Sequence, residues 1–169
     1  MKSLYLLRHA KAEREPGVED FDRPLAEPGR NAAAAMGAYL KRHRLRPDLI
    51  LCSPALRARQ TGEHLLAALG TVPVEHRRFL YLASASGLLR TLRQTDDDVA
   101  ALMLIGHDPG LHDLAVALAG QGEGEALAGL RAKLPTGALV LLHFGVARWR
   151  DVAAGEGRLA AFVRPRDLA

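Results

Sequence analysis

Three short apolar runs constrain this chain most: residues 3–7, 49–52 and 99–105. Each is brief, bounded by turn residues and apolar at nearly every position. That is how a strand covered on both faces reads, as in a parallel sheet. The residues that follow the runs are of a kind. The first is followed by Arg8-His9, the second by Ser53-Pro54 and then Arg57, the third by Gly106-His107.

The segments between the runs have helical spacing. Ala33, Met36, Gly37 and Leu40 recur through residues 27–44, with Pro28 suited to the first turn and Pro47 beyond the end. Ala26 is a poor N-cap there. Pro54 opens a second predicted helix that runs to Leu69 and stops at Gly70. Residues 72–80 read as a strand interrupted by charges. Residues 86–94 read as a short helix with Leu88, Leu89 and Leu92 inward. A helix over 109–119, a glycine-rich turn at 121–124 and a short helix over 125–130 follow. Two last strands are expected at 138–144 and 159–163. Strands alternating with helices argue for an α/β fold with a mainly parallel, six-stranded sheet and helices on both faces. Ligands bind beyond the carboxyl ends of such strands. Arg8, His9, Ser53, Arg57 and His107 are therefore expected at one sheet edge.

The 169 residues are expected to form a single domain, 1–169. No run approaches the ~20 apolar residues of a membrane span. The amino terminus has no signal-peptide cleavage pattern, so a cytoplasmic protein without membrane association is expected. The single cysteine, Cys52, excludes an internal disulfide framework, and its apolar surroundings suit a buried, inert thiol better than a nucleophile. No cysteine or histidine cluster has zinc spacing. The net charge is +4, carried largely by arginine, the cation suited to bidentate phosphate contacts. A genome-wide compositional bias would produce the same excess. No basic run interleaves aromatics, so a nucleic-acid surface is unsupported.

A phosphoryl group spreads charge over its peripheral oxygens, and its transfer is promoted mainly by position and electrostatics. Arg8 and Arg57 each offer paired donors to those oxygens. A protonated His107 would add another. His9 is placed to attack phosphorus if one ring nitrogen is free and the other is held by a hydrogen bond. No metal and no cofactor is required, because arginine supplies the charge. Each residue alone has an ordinary reading: a solvated strand end, a helix-surface cation, a turn histidine. The joint placement at three strand ends is what argues for a site. His43, His64, His76, His112 and His143 lack that context and are read as structural. Asp108 is read as a helix cap rather than an acid.

The constellation resembles the histidine phosphatase superfamily, with its phosphoglycerate-mutase-like fold. The motifs that carry the resemblance are Leu7-Arg8-His9-Ala10; Asp22-Arg23-Pro24-Leu25 with Gly29; Ser53-Pro54-x-x-Arg57-Ala58-x-Gln60-Thr61; and Ile105-Gly106-His107-Asp108-Pro109-Gly110. The short length and the Asp-Arg-Pro-Leu segment look like the SixA branch, known for dephosphorylating protein phosphohistidine. The resemblance implies a three-layer α/β/α sandwich. It implies His9 as nucleophile, and Arg8, Arg57 and His107 as the phosphate pocket. Arg23 matches a basic loop position offered to phosphate or to the protein substrate, and Ser53 a serine at the pocket wall.

Two departures from the family pattern matter. Many members carry an acidic general acid after the third strand, but no carboxylate occurs here between Glu75 and Asp96. Ala26 replaces the hydroxyl residue common after the Pro-Leu pair. General acid catalysis typically contributes about 10²–10⁴-fold, and an alkoxide leaving group needs it. An imidazole leaving from a phosphoramidate does not, if its second nitrogen is already protonated. The expected activity is therefore a metal-independent phosphatase acting on protein phosphohistidine, with inorganic phosphate as product. One alternative is a small phosphomonoester as substrate, with Glu13, Glu15, Asp20 or Asp22 as acid. Another is a module that binds phosphate or phosphohistidine without turnover.

Overall fold

A computed structural model of the chain describes residues 1–169. Seven strands form one sheet: β1 (Lys2–Arg8), β2 (Leu49–Cys52), β3 (Val74–His76), β4 (Ala101–Gly106), β5 (Ala119–Gln121), β6 (Leu139–Phe144) and β7 (Gly157–Val163). Their order across the sheet is β3-β2-β4-β1-β6-β7-β5. The pairs β3–β2, β2–β4, β4–β1 and β7–β5 are parallel, and β6 runs antiparallel to both β1 and β7. The sheet is thus mainly parallel, as expected, with β6 alone reversed.

The expected count of six strands is corrected to seven. Residues 119–121, read as a helix end and a turn, form β5 beside β7. Its sequence, Ala-Gly-Gln, has no apolar alternation, so the pairing is decided by the neighbouring strand. The third strand is also shorter than residues 72–80. It ends at His76, and a single 3₁₀ turn occupies Arg78–Leu80.

Five helices cover the sheet: α1 (Glu27–Arg42), α2 (Leu56–Leu69), α3 (Ala85–Arg93), α4 (Gly110–Leu118) and α5 (Gly124–Ala132). The strand alternation divides the core in two. Tyr5 and Leu7 join Met36 and Leu40 of α1 and Leu65 and Leu69 of α2 on one face. Leu4 and Leu6 join Leu88 and Leu92 of α3 and Leu111 and Leu114 of α4 on the other. Burying each such leucine contributes about 1.5–3 kcal/mol relative to leaving it in water. The result is the α/β/α sandwich.

Helices α1 and α2 lie unusually close. A Cβ at Gly37 would stand 2.2 Å from the Leu65 carbonyl oxygen, so only glycine fits there. At the amino end of α1, Ala26 provides no side-chain cap, as its identity predicts. Helix α2 ends at Gly70 with φ of 107°, a backbone region that favours glycine. No helix is long and apolar enough to cross a membrane.

Candidate active site

Strands β2, β4 and β1 are immediate neighbours, so the three predicted segments emerge side by side at their carboxyl ends. Arg8 is paired in register with Gly106, and Cys52 with Ile105. His9, Arg57 and His107 are brought together, and all three are buried, at 7%, 3% and 3% exposure. The His9 and His107 rings lie 5.2 Å apart. Arg57 stands between them: its Nε donates to His9 Nε2 at 3.4 Å and its second terminal nitrogen to His107 Nδ1 at 3.3 Å.

The hydrogen bonds assign the His9 tautomer. Nδ1 is 2.8 Å from the Ala10 carbonyl, so it carries the proton and leaves the Nε2 lone pair toward Arg57. Burial, then the neighbouring His107, Arg57 and Arg8, lower its pKa to about 3. The ring is therefore neutral at physiological pH, as a nucleophilic imidazole must be.

His107 is also neutral. Burial and the Arg57 charge lower its pKa to about 4. Nε2 donates to Ser53 Oγ at 2.7 Å, while Nδ1 accepts from Arg57. Without an anion the ring is neutral, because it is buried and cationic Arg57 faces it; the expected protonated donor belongs to the phosphate-bound site. A phosphoryl dianion beside it reverses that balance and favours the imidazolium. Ser53 is fully buried and holds His107, with the Ala55 N–H donating to the same oxygen at 3.3 Å. It orients the ring from behind rather than lining the cavity.

Arg8 is anchored at one corner. Its Nη1 donates to the Leu134 carbonyl at 3.0 Å and lies 3.5 Å from Asp108 Oδ2. Its buried Nε has no partner, an orphan donor of the kind that marks a ligand site. Asp108 is not the helix cap expected of it. Helix α4 starts at Gly110 with Pro109 at the cap, which leaves the Asp108 carboxylate turned to Arg8.

The motif around Arg57 owes its spacing to two further ties. Thr61 Oγ1 accepts from the Ala10 N–H at 3.0 Å and donates to the Arg57 carbonyl at 2.7 Å. Gln60 accepts from the Leu25 N–H at 2.7 Å. One turn of α2 thus aligns the end of β1, Arg57 and the loop before α1.

That loop delivers a carboxylate. Of the four acidic loop candidates, Asp20 is the one seated on the cluster. Arg57 donates to the Asp20 carbonyl at 2.6 Å and to its carboxylate at 3.1 Å. Arg23 binds the other carboxylate oxygen at 3.0 Å, and the Tyr81 hydroxyl donates to the first. These donors, Tyr81 foremost, hold the Asp20 carboxyl well below the usual carboxylate range. Arg23 therefore grips Asp20 and, through Nε, the Glu13 carbonyl at 2.8 Å. Tyr81 escaped the sequence reading. It lies in the segment after β3 that lacks a carboxylate, and it meets the His107 ring edge-on at 5.4 Å.

A cavity of about 590 Å³ opens over Arg8 and His9 and is bordered by Lys11, Glu13, Arg14 and Arg23. Arg57 and His107 do not line it; Arg57 is bonded to Asp20, and Tyr81 packs on the His107 ring. No group of three or more His, Cys, Asp or Glu is placed to hold a metal ion, and the positive charge of the site comes from arginine. Cys52 is buried away from this chemistry, its thiol pushed up to about 12 by desolvation. His143 bonds Ser3 at 2.9 Å and His112 the Leu130 carbonyl at 2.5 Å, in keeping with structural roles.

Residues 4–81 match the family described as the histidine phosphatase superfamily, branch 1. A relative in Mycobacterium tuberculosis strain H37Rv, itself uncharacterised, is 34% identical over 162 residues, 95% of this chain and 100% of its own length. Among solved structures, the SixA protein of Agrobacterium tumefaciens, provisionally named a phosphohistidine phosphatase, superposes with a TM-score of 0.83 at 32% identity. The match covers 97% of this chain and 98% of that one. The corresponding protein of Nakamurella multipartitia gives 0.82 at 30% identity, covering 97% and 96%.

Proposed function

The chain belongs to the SixA-like branch of the histidine phosphatase superfamily, and from that membership we propose that it is a metal-independent phosphatase of protein phosphohistidine. The observation that carries the mechanism is the His9 tautomer, with Nδ1–H donating to the Ala10 carbonyl and Nε2 unprotonated and accepting only a long bond of 3.4 Å from Arg57 Nε. Nε2 attacks phosphorus in line, forming a new N–P bond as the P–N bond to the substrate imidazole breaks. If the second nitrogen of that imidazole already carries a proton, it departs as a neutral ring and no acid is needed. Water then attacks phosphorus, the His9 N–P bond breaks, and inorganic phosphate leaves. Arg8, through its unpartnered Nε, and Arg57 hold the peripheral oxygens, and His107 gains its proton as the dianion arrives.

Asp20 supports the choice of leaving group. It is the one loop carboxylate on the cluster, yet three donors keep it ionised, which makes it a weak proton donor to an alkoxide. Phosphate and Asp20 also compete for the same Arg57 donors, so productive binding requires the carboxylate to shift.

Turnover of a phosphohistidine peptide by wild type and by His9→Ala tests the nucleophile. The variant is expected to lose about three orders of magnitude or more in rate, and labelled phosphate is expected to be trapped on wild-type His9 alone. Equal rates would sink the assignment. A parallel series of phosphoramidates, aryl phosphates and alkyl phosphates tests the leaving group. A clear preference for alkyl phosphates would assign the protein to small phosphomonoesters instead.

A further inference from the structure

A second groove, of about 540 Å³, adjoins the phosphate cavity, and the two share Lys11 and Thr136. Its size is that of an ordinary ligand site. The charged side chains lining it are all cations: Lys11, Lys133, Arg164 and Arg166. Arg164 is paired with Asp167 at 3.0 Å, but Lys11, Lys133 and Arg166 take part in no ion pair. Between the cations the lining is proline, alanine and glycine, including Pro28 and Pro165, with Thr136 the one uncharged polar side chain, and it holds no aromatic ring.

Backbone contacts hold the groove where it meets the cavity over His9. The Lys11 carbonyl accepts from the Ala26 N–H at 2.9 Å. It lies so near the first turn of α1 that a Cβ at Gly29 would stand 2.1 Å from it. Next to Thr136, the Gly137 N–H donates to the His9 carbonyl at 2.9 Å. The groove is thus tied through backbone bonds to the residue that carries the proposed nucleophile.

We propose that this groove receives an acidic segment of the phosphorylated protein while its phosphorylated side chain occupies the neighbouring cavity. The inference rests on the phosphoprotein reading above. The two cavities adjoin at Lys11 and Thr136, so one bound segment can engage both. The absence of an aromatic platform disfavours a nucleobase, which binds by stacking. A cationic rim over a floor of small apolar residues matches a chain in which carboxylates alternate with small side chains. Unpaired cations of this kind act on encounter and specificity more than on the chemical step.

The test uses phosphotyrosine peptides with identical cores and either Asp/Glu or Asn/Gln flanks, bound to His9→Ala protein and read by fluorescence anisotropy. This readout is independent of which bond the enzyme cleaves. The acidic peptide is expected to bind about three- to tenfold tighter at low salt, an advantage that fades as salt is raised. In the Lys133→Ala/Arg166→Ala background the advantage is expected to fall below about twofold. The same double change in the His9 enzyme is expected to raise KM for the acidic peptide and to leave kcat for a small aryl phosphate unchanged. Equal binding of the two peptides by the wild-type groove, or an acidic preference that survives the double variant, overturns the proposal. Citrate bound as tightly as the acidic peptide, and as sensitive to the double variant, assigns the groove to small polyanions and also overturns it. Failure of wild type to hydrolyse phosphohistidine peptides while the acidic preference persists overturns the substrate reading alone.

Discussion

At the scale of single residues, the site is organised around Arg57. Its guanidinium touches both imidazoles and one carboxylate, and each contact constrains the next. Its cationic charge favours neutral His107 and neutral His9, and its remaining donors are taken by Asp20. Removing the Asp20 charge is therefore expected to favour an incoming anion. In Asp20→Asn, inorganic phosphate is expected to inhibit about two- to fivefold more tightly, within the range of a partly exposed ion pair. Inhibition kinetics on an aryl phosphate read this directly. Unchanged inhibition would mean that Asp20 leaves Arg57 at no cost. A large loss of kcat confined to alkyl phosphates would make Asp20 the acid. Arg8, His9 and His107 were legible in the sequence because each sits at or just after a strand end, and Arg57 because it falls in the first turn of the helix that follows β2, where local pattern suffices. The choice of Asp20 among the four loop carboxylates, the part of Tyr81 and the neutral state of His107 were not, because they follow from contacts between segments far apart in the chain.

At the scale of elements, positions are set by close approach of backbones. Helix α2 carries Arg57, Gln60 and Thr61, and α1 rests against it through Gly37. Gly37→Val is expected to push the two helices apart and to cost about 1–3 kcal/mol of stability, as overpacking does. A lowered denaturant midpoint with unchanged m would record it, and an unchanged midpoint would show that the helices can part freely. The helices themselves were readable from their periodicity, glycine stop and proline positions. Strand β5 was not, because three residues without apolar alternation become a strand only by pairing with β7. Nor does any residue in β6 declare that it runs against its neighbours, since a fully buried strand looks the same in either direction.

At the scale of the molecule, burying neutral imidazoles links stability to pH. His9 and His107 have pKa values lowered to about 3 and about 4, and His143 is lowered as well. In the unfolded chain these rings titrate near ~6.5. Below that value the unfolded state binds protons that the native state refuses, so stability falls as pH drops from about 6.5 toward 4. The thermal midpoint is expected to decline between pH 7 and pH 4.5, and His107→Gln is expected to flatten that decline. A midpoint that does not move across this range would contradict the burial argument.

The sequence by itself determined the α/β class, the gathering of Arg8, His9 and His107 at neighbouring strand ends and the family to which the chain belongs. Those properties are written in short-range patterns: apolar runs, helical periodicity, and cations just beyond a strand. The tertiary structure alone decided which loop carboxylate reaches Arg57 and that Ser53 serves His107 from behind. It also decided that Asp108 turns to Arg8 and that a cationic groove meets the cavity over His9 at Lys11. Each of these depends on which segments become neighbours across the sheet edge, and adjacency in space is not encoded in the residues on either side of any one of them.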